Sequence, residues 1–157
     1  MPFNIKSKAF DDNQEIPRPY TGEGLDKSPP LGWEDLPEGT VELALICDDP
    51  DAPFPEPWVH WIIYNLSPSL SELPEQLSSQ SSLTSPIVAF QGKNSWNKTG
   101  YGGPMPPPGH GEHRYFFKLY ALNKPLKLEP AASKQELLKS MEGHILGWTQ
   151  LMGKYQR

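Results

Sequence analysis

VELALICDDPDAPFPEPWVHWIIYNL, residues Val41–Leu66, reads as a strand, a stiff loop and a second strand. Val41 to Cys47 is apolar except for Glu42 and contains neither Gly nor Pro. Trp58 to Leu66 is aromatic and β-branched in the same way. Neither run alternates between apolar and polar residues, which is the pattern of strands covered on both faces. Between them, Asp49-Pro50-Asp51-Ala52-Pro53-Phe54-Pro55-Glu56-Pro57 carries four prolines, and each restricts φ so that the loop has few conformations. A buried strand that runs into the carboxylates of Asp49 and Asp51 brings charge to the rim of its core. That costs free energy unless the charges are paired or hydrogen-bonded. The place is a site or an internally satisfied turn.

The rest of the chain supports a β-rich reading. Its 19 prolines in 157 residues are more than double the typical ~5%, and proline breaks helices and central strands. With 13 glycines besides, short strands joined by long, rigid loops are expected. At this length one domain, residues 1–157, has room for a proper core. The composition, 36% hydrophobic and 21% charged, is globular rather than disordered. A net charge of −5 with no run of basic residues argues against nucleic acid as a partner, because phosphate backbones need clustered Lys and Arg. Cys47 is the only cysteine, so no internal disulfide can form, which fits a reducing compartment. The first twenty residues have no apolar signal-peptide core, and no segment approaches the ~20 apolar residues of a membrane span. The expected location is the cytoplasm.

Upstream, Asn4 to Phe10 can form a strand and Leu31 to Trp33 a short one; Pro37-Glu38-Gly39 turns the chain into Val41. Ser67 to Ser85, where a helical turn could form near Glu72–Leu77, is read as surface loop, and Pro86 to Gln91 as a further strand. Gly92 to Glu112, GKNSWNKTGYGGPMPPPGHGE, has no hydrophobic periodicity. Loops of this length inside a compact domain are uncommon and usually functional, and Trp96 and Tyr101 give it anchors. HRYFFKLYAL, His113–Leu122, is a strand with His113, Tyr115, Phe117 and Leu119 on one face and Arg114, Phe116, Lys118 and Tyr120 on the other. Ser133 and Glu136 form a capping box that starts a helix reaching about Glu142, where Gly143 stops it. The tail from His144 is open between helix and strand, with Gly147 and Thr149 favouring strand.

Polar side chains concentrate at Asp49 and Asp51, at Trp58 and His60, and at His113-Arg114-Tyr115. If these strands are neighbours, their ends converge on a pocket. Imidazole N–H, the Tyr115 hydroxyl, and backbone N–H groups bared at Gly102 and Gly103 would suit an anion with several acceptor oxygens, phosphate above all. Taken singly each group has a plainer reading: His60 as a hydrogen-bonded core histidine, Asp49 and Asp51 as a turn device, His110 and His144 as solvated surface residues.

The ordered set Asp49-Pro50-Asp51-Ala52-Pro53, Trp58-x-His60, and Gly102-Gly103-Pro104-x-Pro106-Pro107 leading into His113-Arg114-Tyr115 resembles the phosphatidylethanolamine-binding protein family. These are also called the Raf kinase inhibitor proteins. Ser28-Pro29-Pro30-Leu31-x-Trp33 and Glu142-Gly143-His144 look like its bacterial and archaeal branch. The resemblance implies a mainly β fold, a central antiparallel sheet packed on a smaller sheet with a late C-terminal helix. It also implies a small, pre-formed anion pocket. Asp49, Trp58, His60, Gly103, Pro104, His113 and Tyr115 match the family's ligand-binding positions, with Asp51 and Arg114 behind them and Arg114 expected to find a partner at the core rim. It further implies a cis peptide before the pocket tryptophan, here Glu56–Pro57. Val59 stands where eukaryotic members often have a second histidine, and the long C-terminal helix of the mammalian members has no obvious counterpart, which weakens any transfer of lipid binding or kinase inhibition.

The function expected is binding of a phosphate-bearing small molecule or a phosphorylated protein, without a cofactor or metal. Its output would be regulatory, through a kinase or serine-protease partner. The alternative is a metal-dependent or acid/base phosphoester enzyme using His60, His113 and Asp49, although no HExxH, GxSxG or P-loop pattern is present. The third expectation is a purely structural or interaction role with a vestigial pocket, which exposed hydrophobic surface in a homodimer, as many microbial members form, would support.

Overall fold

The computed structural model describes residues 2–157. Its elements are β1 (Asn4–Lys6), β2 (Gln14–Glu15), β3 (Leu31–Glu34), β4 (Glu42–Asp49), β5 (Trp58–Leu66), β6 (Glu72–Leu73), β7 (Ser82–Leu83), β8 (Ala89–Gln91), β9 (His113–Leu122), α1 (Lys134–Met141) and β10 (Ile145–Tyr155). Seven strands form one sheet in the order β2-β10-β9-β4-β5-β8-β7, and β1-β3-β6 form a second. Every pairing is antiparallel except the two-residue contact of β2 with β10, which is parallel. This is the mainly β architecture of two sheets with one late helix that the sequence leads one to expect.

β4 and β5 lack alternation because the large sheet is covered twice. On one face, Leu43, Leu45, Cys47, Trp61, Ile63, Tyr115, Phe117 and Leu119 pack on Ile5, Leu31, Trp33 and Leu73 of the small sheet. On the other, Ala44, Ile46, Val59, Ile62 and Tyr64 meet Leu137 and Met141 of α1. The helix starts as its capping box requires: Ser133 accepts from the Glu136 N–H at 3.1 Å and Glu136 accepts from the Ser133 N–H at 3.0 Å.

Several expectations are corrected. The first strand stops at Lys6 rather than Phe10, because the Ser7 hydroxyl donates to the Pro30 carbonyl and accepts from the Ala9 N–H, a local pattern that competes with a ladder. Glu72–Leu77 holds no helical turn: Glu72 and Leu73 pair with β3, and Pro74 has no N–H to carry a ladder on. The strand expected from Pro86 begins at Ala89 and pairs with β7 inside the segment read as loop. The Glu56–Pro57 bond is not cis. It keeps the trans form that even an X–Pro amide favours by about 0.5–1 kcal/mol, and among the described residues the cis bond is Ser85–Pro86. The ambiguous tail is a strand, because β10 finds the full length of β9 to pair with.

Candidate functional site

Antiparallel pairing brings the end of β4 beside the beginnings of β5 and β9: Asp49 opposes Trp58, and Asp48 opposes Phe116. Pairing between β4 and β5 passes from Cys47–Trp61 to Asp48–Val59 and so skips His60. His60 is the extra residue of a β-bulge, a device that re-aims a side chain at a sheet edge. Its ring meets Tyr115 edge-on at 5.0 Å and Trp96 at 5.1 Å.

The two adjacent carboxylates of β4 serve opposite faces. Asp48 accepts from Lys134 Nζ at 2.8 Å, towards α1. Asp49 turns the other way: its Oδ2 accepts from His113 Nδ1 at 2.7 Å and its Oδ1 from the Asp51 N–H at 2.8 Å. Both Asp49 and His113 are almost fully buried, so the carboxyl group fixes the ring with Nε2 on the other side. Asp51 takes the Arg114 side chain in a fork, with Nε and Nη2 each 2.9 Å from one of its oxygens, and also accepts the Arg114 N–H. The guanidinium holds the Asp51 carboxyl below its usual range. Arg114 therefore pairs as expected and clamps the start of β9 to the proline loop.

Above these groups lies a cavity of about 250 Å³ lined by Asp49, Phe54, Trp58, His60, Trp96, Met105, Pro106, Pro107, His113 and Tyr115. Phe54 stacks on Trp58 at 4.5 Å, and Trp96 meets Trp58 edge-on at 5.5 Å, which makes the wall aromatic. Five of the seven expected ligand-binding residues (Asp49, Trp58, His60, His113 and Tyr115) line it. Gly103 instead borders a neighbouring cavity of about 630 Å³ with Asp26, Trp96 and Gly102, and Pro104 is buried beneath the lip that Met105, Pro106 and Pro107 form.

The bared N–H groups expected of the glycine loop are not there. The Gly102 N–H donates to the His60 carbonyl at 2.9 Å and the Gly103 N–H to Asp26 Oδ1 at 2.7 Å. Glycine is needed at both places for close approach. A Cβ on Gly102 would overlap the Trp96 ring, and one on Gly103 would lie 2.5 Å from both Asp26 Oδ1 and the Tyr20 carbonyl oxygen. The loop therefore serves as scaffold, and the donors left for a ligand are side chains.

Three polar atoms remain. His60 Nδ1 donates to the Gly102 carbonyl at 2.7 Å, and burial presses the ring's pKa down to about 4 against the opposing pull of that carbonyl, Asp49 and Asp48. Its Nε2 has no partner among the described residues. The Tyr115 hydroxyl also has none, and burial with Asp49 nearby raises its pKa, so it stays protonated. His113 Nε2 lies 2.6 Å from His110 Nδ1, one ring donating and the other accepting. His110, read from sequence as a solvated loop residue, is exposed but sits on the site. Phe54 and Asp26 were also missed; Phe54, an aromatic wedged between two prolines beside the expected pocket, carried a signal. Among the described residues no three His, Cys, Asp or Glu side chains are grouped as metal ligands.

The family model for phosphatidylethanolamine-binding proteins matches residues 6–156. The chain belongs to this family. It is 48% identical over 155 residues to a UPF0098 protein of Methanothermobacter thermautotrophicus, covering 99% of each chain. Among solved structures, a phosphatidylethanolamine-binding protein homologue from Chlamydia trachomatis superposes with a TM-score of 0.87 at 39% identity, over 99% of this chain and 97% of that one. Escherichia coli YbcL, described as a new member of the mammalian family, gives 0.91 at 27% identity over 99% and 98%. Among the described residues no helix is long and apolar enough to cross a membrane.

Proposed function

We propose that this member of the phosphatidylethanolamine-binding protein family binds phosphate-bearing groups in the His60–His113–Tyr115 cavity. The observation that carries the reading is the convergence of two imidazole nitrogens and a phenol hydroxyl on one aromatic-walled recess. Its volume, about 250 Å³, lies just under the ~300–1,000 Å³ of sites for drug-sized ligands, which suits a head group more than a whole lipid. Asp49 orients His113, Gly102 orients His60, and the Asp51–Arg114 fork clamps the start of β9 to the proline loop, so the polar groups are ordered before a ligand arrives. The regulatory output, inhibition of a kinase or serine protease through a phosphorylated protein ligand, rests on family membership alone.

The test is a titration with inorganic phosphate and O-phosphorylethanolamine, followed by NMR of the histidine side chains in wild type and His60→Ala. Saturable shifts at His60 and His113, lost in the variant, are expected. Absence of any shift in a folded protein at millimolar ligand would remove the reading.

Self-association of two copies is supported by a different observation. Val41, Ile145, Leu146 and Trp148 stand exposed about the free edge of β10, and Trp148 stacks on Tyr120. Sedimentation of wild type against Trp148→Glu checks it: a dimer that becomes monomeric is the expected outcome.

A further inference from the structure

The hydrogen-bond polarity of the cavity has a direction. The Gly102 carbonyl can only accept, so His60 Nδ1 must carry a hydrogen. The ring is 3% exposed and packed between Trp96 and Tyr115, neither of them charged. The charges that act on it come from β4, Asp49 on the same face and Asp48 on the opposite one, and the Gly102 and Gly103 carbonyls pull the same way. Burial outweighs these, so at neutral pH the ring is uncharged and Nε2 bears a lone pair. Among the described residues no fully buried side-chain nitrogen or oxygen lacks a partner. The unpartnered His60 Nε2 and Tyr115 hydroxyl therefore open onto the cavity they line. The site thus offers an obligate acceptor at His60 beside a hydroxyl at Tyr115 and, once His110 moves off, the outer nitrogen of His113.

We infer that the pocket selects oxyanions that carry a hydroxyl, hydrogen phosphate or a singly protonated phosphomonoester, over oxyanions that only accept, such as sulfate or a phosphodiester. The inference rests on the anion-pocket reading above and narrows its ligand class. A P–O–H donates to His60 Nε2 while another of its oxygens accepts from the Tyr115 hydroxyl, and His113, with Nδ1–H committed to Asp49, presents Nε2 beside them. Sulfate at neutral pH has no hydrogen to give, and a diester has none at any pH of interest, so an oxygen would face the Nε2 lone pair. A site built to pair with a ligand hydroxyl rejects the analogue lacking it, because its own buried polar group is left unpaired. A phosphomonoester loses its last proton near pH 6. Its binding should strengthen below that pH, whereas that of a diester has no such reason to.

Calorimetric titration of the full chain at pH 7 with inorganic phosphate, sulfate, methyl phosphate and dimethyl phosphate tests this, with methyl phosphate, dimethyl phosphate and sulfate repeated at pH 5.5. Phosphate is expected to bind at least tenfold tighter than sulfate at pH 7, and methyl phosphate tighter than dimethyl phosphate at pH 5.5, where it carries its hydroxyl. Methyl phosphate is expected to gain on sulfate as pH falls to 5.5. His60→Gln, whose amide offers both a donor and an acceptor, should shrink the preference for phosphate over sulfate. If sulfate and dimethyl phosphate bind as tightly as their hydroxyl-bearing counterparts, the selectivity is overturned and the anion pocket stands. If none of the four binds, both fall together.

Discussion

His113 Nε2, the one nitrogen of that ring not committed to Asp49, is hydrogen-bonded to His110 Nδ1 at 2.6 Å. The two rings lie 4.9 Å apart, centre to centre. His110 comes from an exposed loop and is flanked by Gly109 and Gly111, both at positive φ with open space where a Cβ would be. A ligand that uses His113 must take the place of His110, so the imidazole acts as an internal competitor.

Removing that competitor should tighten binding. His110→Ala eliminates one hydrogen bond of the unliganded state, of the ~0.5–1.5 kcal/mol that such bonds contribute net. The expected Kd for inorganic phosphate falls by about two- to tenfold, with thermal stability little changed because the residue is exposed. An unchanged Kd by calorimetry would show that His110 leaves the site at no cost.

His60 should make the fold sensitive to mild acid. Its folded pKa of about 4 lies below its ordinary 6.5, so between these values the unfolded chain binds the proton that the folded one refuses. The contribution of the neutral ring is complete above pH 6.5 and is lost as pH falls towards 4. At about 1.4 kcal/mol per pH unit the gap amounts to roughly 3 kcal/mol. Urea unfolding at pH 7 and pH 4.5 should show a steeper loss in wild type than in His60→Gln. Parallel losses would mean that the ring is not held neutral.

Much of the fold is legible in the sequence. β5 and β9 appear in the sequence with the bounds the structure gives them, since long apolar runs ended by Pro, Gly and charge leave few alternatives. The capping box at Ser133 marked α1 for the same local reason. What was not legible depends on contacts distant in sequence. β6 and β7 are two residues each and exist only through their partners. The bulge at His60 arises from its register against Cys47 and Asp48. The Gly103 N–H is taken by Asp26, 77 residues away. The candidate site divides in the same way: His60, His113, Tyr115 and Asp49 sit at strand ends and could be found by convergence, whereas His110 and Phe54 reach the cavity from loops whose paths no periodicity encodes.

The scaffold role of the glycine loop predicts that Gly103→Ala damages folding more than chemistry. The added Cβ would meet Asp26 Oδ1, the Tyr20 carbonyl oxygen and Thr21 Cα at 2.5, 2.5 and 2.9 Å. Two of these are backbone atoms that cannot rotate away. Forced repacking of this kind costs about 1–3 kcal/mol, readable as a lower urea midpoint, and Asp26→Ala should reproduce part of it by freeing the Gly103 N–H. A variant as stable as wild type would mean that the loop, not Asp26 and Tyr20, gives way.

Asp49 is the residue on which orientation of the site depends most. It is buried, and both its oxygens are occupied, one by His113 Nδ1–H and one by the Asp51 N–H. Asp49→Asn keeps the shape but can offer only one carbonyl oxygen. Either the Asp51 N–H then faces an amide N–H₂, a donor against a donor, or His113 takes the other tautomer, accepting at Nδ1 and carrying its hydrogen on Nε2. Leaving a buried donor unpaired costs about 1–3 kcal/mol, so a corresponding loss of stability is expected at pH 7. Phosphate affinity should fall at least tenfold, because His113 is released from the orientation that presents Nε2 to the cavity. Trp58→Phe provides the contrast: it alters the wall without touching the His113 network and should weaken binding while leaving the His113 side-chain resonances near their wild-type positions. If Asp49→Asn binds phosphate as wild type does, His113 is not among the groups that hold the anion, and His60 and Tyr115 must suffice.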